Sequence, residues 1–116
     1  MSKSQNSKQY DLEERTYLFA WHVRDYVKTL PRTISSIEYA KQLIRSSGSI
    51  AANYIEANEA LSKKDFLVRA KICRKEAKET RLWLRLIDGE SKEFEELMQE
   101  VNELMKIFGS IVTKSE

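Results

Sequence analysis

One histidine, one cysteine and a scatter of carboxylates are the side chains in this chain with the chemistry for metal binding or covalent catalysis. Glu56, Glu76 and Glu79 fall where they could face the inside of a helical bundle. Bundles hold dinuclear metals with inward glutamates and a Glu-x-x-His motif from each of two helices. The single histidine, His22, has Phe19 three residues before it, so that motif is missing and no metal is expected. His22 reads as a surface or boundary residue. Cys73 is followed by Arg74 and Lys75, and basic neighbours can lower a thiol pKa. Its place on an apolar seam is instead that of a small core residue. One histidine cannot complete a Ser/His/Asp set, and there is no Gly-rich phosphate loop, Cys-His zinc spacing or RNA-binding aromatic motif. The sequence therefore assigns no catalytic residue, metal or cofactor, and argues against an enzyme.

Charge is more informative by segment than in total, because a net +2 implies no nucleic-acid partner. Residues 62–88 carry nine Lys or Arg against four Asp or Glu, whereas 89–116 carry three bases against seven acids. Lys64, Lys71, Arg74, Lys78, Arg81 and Arg85 recur at helical spacing, about 100° round from the apolar seam. Such a stripe is about 30 Å long and could track a phosphate backbone. The competing reading is a solvated flank paired with the acidic last helix, within one subunit or across two.

The elements that position these groups are helices. With 116 residues, three Gly, one Pro and 33% charged residues, the chain is one domain of long helices and short connections. Residues 1–10 are polar and read as a disordered leader, with a single bundle domain over 11–116. The first helix spans 11–30, carries a stripe of Leu12, Phe19, Val23, Tyr26, Val27 and Leu30, and ends at Pro31. The second spans 35–60. Gly48, costly inside a helix, sits among Ser46, Ser47, Ser49, Ala51 and Ala52, which suggests close approach of a neighbouring backbone. Ile37, Ala40, Ile44, Ser47, Ala51, Tyr54 and Asn58 share one face there, flanked by Asn53 and Glu56. The third helix spans 63–88, capped by Ser62 with Asp65 and stopped by Gly89. Its seam is Phe66, Ala70, Cys73, Ala77, Thr80, Leu84 and Ile87. The fourth spans 91–112, with a core face from Phe94 through Val101 and Phe108 to Ile111. The fold class is all-α, an antiparallel up-down-up-down four-helix bundle.

Some apolar residues exceed what one seam needs: Val68, Ile72, Leu82, Trp83 and Leu86 on the third helix, and Tyr17, Leu18 and Trp21 on the first. Self-association explains them economically, and a basic helix facing an acidic one can pair head to tail into a closed ring. A thick core is the alternative. No apolar run has the length of a membrane span or secretory signal, and one cysteine fits a reducing compartment, so a cytoplasmic location is expected.

The stretch QLIRSSGSIAANYIEANEALSKKDF, followed by KICRKEAKETRLWLRLI, resembles the bacterial four-helix-bundle family described as the intervening-sequence protein of large-subunit ribosomal RNA. The family's second-helix pattern maps onto Gln42, Arg45, Ser49, Ile50, Asn53 and Glu56, and its third-helix pattern onto Glu76, Glu79 and Thr80. Ala57 and Asn58 stand where the family often has a glycine. Polar groups so near the core need hydrogen-bond partners, so a structural network of Gln42, Arg45, Asn53, Glu56, Glu76 and Glu79 is expected, with Arg45, Arg74 or Lys78 as the partner of Glu56. The resemblance also implies assembly into rings, commonly pentamers. A related accessory protein of diversity-generating retroelements binds a reverse transcriptase and nucleic acid through a basic surface, while most members have no known function. Two readings follow: an oligomer that binds RNA or DNA through the basic stripe, or an interaction module whose charged and aromatic surfaces serve self-assembly and a protein partner.

Overall fold

Hydroxyl caps and one proline divide the chain. The computed structural model describes residues 8–116, and residues 1–7 of the expected leader lie outside the described residues. Residues 8–10, also assigned to that leader, are instead the first turn of α1 (Lys8–Tyr26). This helix tightens into a 3-10 turn at Val27–Thr29 and stops at Leu30, whose extended backbone (φ −79°, ψ 149°) is the conformation Pro31 imposes on its predecessor. Then come α2 (Ile34–Asn58), α3 (Lys63–Ile87) and α4 (Lys92–Ser115). Thr33, Ser62 and Ser91 each accept a hydrogen bond from the backbone N–H three residues on, at 3.2, 3.0 and 3.1 Å. Each cap satisfies a donor that the helix cannot.

The four helices pack antiparallel in chain order, and α4 returns against α1 to close the bundle. The α2–α3 pair is the most intimate. Leu43, Ser46, Ser47, Ile50, Tyr54 and Ala57 of α2 are buried, as are Ala70, Cys73, Ala77, Thr80 and Leu84 of α3. Small side chains let these backbones approach, and their polar atoms are paired. The Ser46 and Thr80 hydroxyls share a 2.8 Å hydrogen bond, Thr80 donates to the Glu76 carbonyl at 2.8 Å, and the Cys73 thiol donates to the Ile50 carbonyl at 3.6 Å. From α1 come Leu12, Phe19, Val23 and Tyr26, with the wholly buried Thr16 filling the gap in that stripe.

Three expectations need correction. The buried face of α2 is rotated from the one its spacing suggested: Ile37 and Ile44 are 38% and 45% exposed, while Ser46 is fully buried. The helix carries two mainly small or apolar stripes, and the packing of Ser46 against Thr80 decides between them. Nothing lies within 4 Å of a Cβ built at Gly48, so no backbone approaches there. Finally, the stop of α3 is Asp88, left-handed at φ 53° with its N–H on the Leu84 carbonyl at 3.0 Å. Gly89 has no positive φ. It is required for space, since a Cβ there would lie 2.6 Å from Tyr26 Oη and 2.9 Å from the Phe94 ring.

These two glycines should respond oppositely to alanine. Gly89→Ala is expected to lower unfolding free energy by about 1–3 kcal/mol through overpacking. Gly48→Ala is expected to raise it by up to about 1 kcal/mol through helix propensity. Denaturant titration measures both; a loss at Gly48 would mean that another surface packs on that face.

Candidate nucleic-acid interface

Each cation of the α3 stripe beyond Lys64 directly follows a seam residue: Lys71 after Ala70, Arg74 after Cys73, Lys78 after Ala77, Arg81 after Thr80, and Arg85 after Leu84. One helical residue turns the direction by about 100°, so burying the seam aims these side chains sideways out of the bundle. Lys64, Lys71, Lys78 and Arg85 are exposed, and Arg74 and Arg81 are half-buried. Among the described residues one member has an ion-pair partner: Lys71 Nζ lies 3.7 Å from Glu116 Oε2. No other ion pair neutralises the stripe among the described residues.

Glu93, Glu96, Glu100 and Glu103 of α4 lie on the α1 side. Arg15 of α1 grips Glu100 with both ends of its fork, Nε to Oε2 at 2.6 Å and Nη2 to Oε1 at 2.9 Å, and also bonds Glu103. The hydrogen bond to Glu100 is the largest cause of a raised Arg15 pKa. Glu93, Glu96 and Glu100 join His22 and Asp25 around a groove between α1 and α4 floored by Phe19 and Leu97. The molecule thus presents a cationic edge on α3 and an anionic edge between α1 and α4. His22 is exposed and sits edge-on to Trp21, 5.7 Å between ring centroids.

Arg81 is the unusual member of the stripe. Its Nη1 lies 4.0 Å from the Met105 sulfur, and its Nε is shielded from solvent with no hydrogen-bond partner. An unsatisfied buried donor costs about 1–3 kcal/mol. Lys78, Arg81, Leu82, Arg85 and Met105 line a notch of about 210 Å³ at this point.

The expected polar network forms in part. Arg45 bonds Glu79, and its Nη1 lies 3.6 Å from Glu76 Oε1, an ionic contact too long for a hydrogen bond. Gln42 Oε1 accepts from Arg45 Nε at 3.3 Å, and Trp83 Nε1 donates to Glu79 at 3.4 Å. Glu76 is buried at 7% exposure, so Arg45 supplies its counter-charge. Asn53 belongs to a separate contact, donating to Ser49 and accepting from Arg69 at 2.9 Å. Glu56 is exposed and joins neither group; none of Arg45, Arg74 and Lys78 pairs with it. The helical turn that buries Tyr54 and Ala57 swings Glu56 outward.

Of the surplus apolar residues, Tyr17, Leu18, Trp21, Val68, Leu82 and Leu86 are exposed, while Ile72 and Trp83 are half-buried. Trp83 stacks near Tyr39, 6.1 Å between centroids. The sequence reading passed over Ile55, exposed on the same α2 stripe as Ile37 and Ile44; their spacing of seven and eleven residues was the available signal. Cys73 is fully buried, and burial pushes its pKa up to about 12 from an ordinary 9.0. It is a core thiol. No described helix is long and apolar enough to cross a membrane.

The family model for the 23S rRNA-intervening sequence protein matches residues 8–110. A crystal structure of a protein of unknown function from the S23 ribosomal protein family of Bacteroides thetaiotaomicron is similar, with TM-score 0.79 and 30% identity. The match covers 92% of this chain and 99% of that one. No curated protein matches.

Two outcomes are expected here. Arg45→Met should cost about 1–3 kcal/mol by leaving Glu76 without its counter-charge, whereas Glu56→Ala should change stability by less than about 0.5 kcal/mol; chemical denaturation distinguishes them. The raised Cys73 pKa means the unfolded chain ionises first. Stability from this group should be fully present below pH 9.0 and fall as pH rises towards about 12, and the Cys73→Ala chain should lack that fall.

Proposed function

The chain belongs to the 23S rRNA-intervening sequence protein family, and on that premise we propose that it is a non-enzymatic, cytoplasmic, homo-oligomeric bundle that binds RNA or DNA through the cationic edge of α3. The observation that carries this reading is the row Lys64, Lys71, Arg74, Lys78, Arg81 and Arg85, of which Lys71 has an ion-pair partner among the described residues. Neutralising phosphates and releasing their counterions is the chemistry such a row performs. Two of the acids that could have covered it inside the chain, Glu100 and Glu103, bind Arg15 on the other side of α4.

Self-association has its own support. Asn58 Nδ2 donates to Glu13 Oε2 at 3.0 Å, which fixes the register of α1 against α2. In antiparallel helices that register brings exposed Tyr17 level with exposed Ile55, and exposed Trp21 level with Ala51. These residues make an apolar outer face on α1 and α2, away from the α3 cations, on which copies of the chain can assemble into a ring. The alternative function is a scaffold for a protein partner, in which Glu95 or Glu96 of a neighbouring copy covers the stripe.

A salt titration decides between them. The wild-type chain should bind structured RNA tightly at low salt, with affinity falling steeply as salt rises. Changing Lys71, Arg74, Lys78 and Arg81 to Gln should reduce the slope by about 3.6 per protomer on duplex, at about 0.9 per contact, with the oligomeric mass unchanged. Absence of binding at low salt would leave the scaffold reading.

A further inference from the structure

We infer that the notch between α3 and α4 receives one unpaired nucleobase from a single strand whose phosphates lie along the stripe. This inference rests on the nucleic-acid reading of that stripe. The notch, about 210 Å³ and lined by Lys78, Arg81, Leu82, Arg85 and Met105, has room for one planar ring. Its walls are of two kinds. Leu82 and the Met105 thioether offer apolar, polarizable surface, and sulfur packs favourably on aromatic rings. The other wall is the Arg81 guanidinium, a plane on which a base can stack.

Arg81 supplies the second, independent observation. Its Nε–H is sealed from solvent without an acceptor, and the Nη1 neighbour is a weakly accepting sulfur at 4.0 Å. No carboxylate among the described residues binds the Arg81 guanidinium, which leaves its face for a base, whereas phosphate contacts alone are met equally by the exposed Lys78 and Arg85. Those two residues stand seven apart, about 10.5 Å along the helix, on either side of the notch. The phosphates flanking an inserted base each find a cation. In a duplex the bases are paired and stacked inside, so the notch stays empty. Leu82, counted from sequence with the association residues, takes this role instead.

The test compares single-stranded RNA with an abasic oligonucleotide of equal length and phosphate number, across a salt series. The wild-type chain should prefer the base-bearing strand between about fivefold and 150-fold, the range given by about 1–3 kcal/mol of stacking. Arg81→Lys keeps the charge and removes the plane. It should reduce the preference below about twofold while leaving the salt slope unchanged, with melting temperature and oligomeric mass as folding controls. Equal wild-type affinities with a steep slope would overturn the notch and leave the stripe standing. An undiminished preference in Arg81→Lys would also overturn it. No binding of either strand at low salt would overturn both readings.

Discussion

The contact of Ser46 with Thr80, a buried 2.8 Å hydrogen bond between two hydroxyls at the α2–α3 seam, is the constraint on which the orientation of the α3 side chains depends. It needs short side chains on both helices, and Ala70, Cys73 and Ala77 extend the same close approach along α3. Once that line is buried, helical geometry assigns every other position on α3. The residue after each seam position faces the α4 edge, and there the chain places Lys71, Arg74, Lys78, Arg81 and Arg85. The residue before most of them faces α2, and there it places Arg69, Ile72, Glu76, Glu79 and Trp83.

This sorting explains the electrostatics. The α3 carboxylates lie on the α2 side, where Arg45 meets both Glu76 and Glu79. The α4 carboxylates nearest the bundle meet Arg15 on the α1 side. Two arginines on other helices thus hold Glu76, Glu79, Glu100 and Glu103. Burying Glu76 beside Arg45 gains little net stability, because desolvation offsets the attraction. The pair joins the same faces of α2 and α3 that the Ser46–Thr80 contact brings together.

Helix number, order and most boundaries were legible because Pro31, the cap at Ser62 and the break at Gly89 punctuate long amphipathic runs. The α3 seam and its stripe were legible for the same reason: apolar and basic residues there keep strict three- and four-residue steps. The core face of α2 was not. Ile37 and Ile44 have greater hydrophobicity than Ser46 and Ser47, yet backbone proximity favours the serines, and single-helix periodicity carries no information about the partner's shape. Glu56 was misplaced with that face. Gly89 was assigned to the wrong cause, since the proximity of Tyr26 and Phe94 arises from tertiary packing. The notch at Arg81 depends on Met105 of α4 and has no signature in α3 alone.

The central claim is that nucleic acid lies along the α3 edge, and cross-linking maps this directly. Ultraviolet irradiation of the chain with single-stranded RNA, followed by digestion and mass spectrometry, reports which residues touch the strand. The account predicts cross-linked peptides from 64–85, together with the α4 peptide containing Met105. Cross-links confined to the α1–α4 groove around His22, or to the outer face at Tyr17 and Ile55, would contradict it.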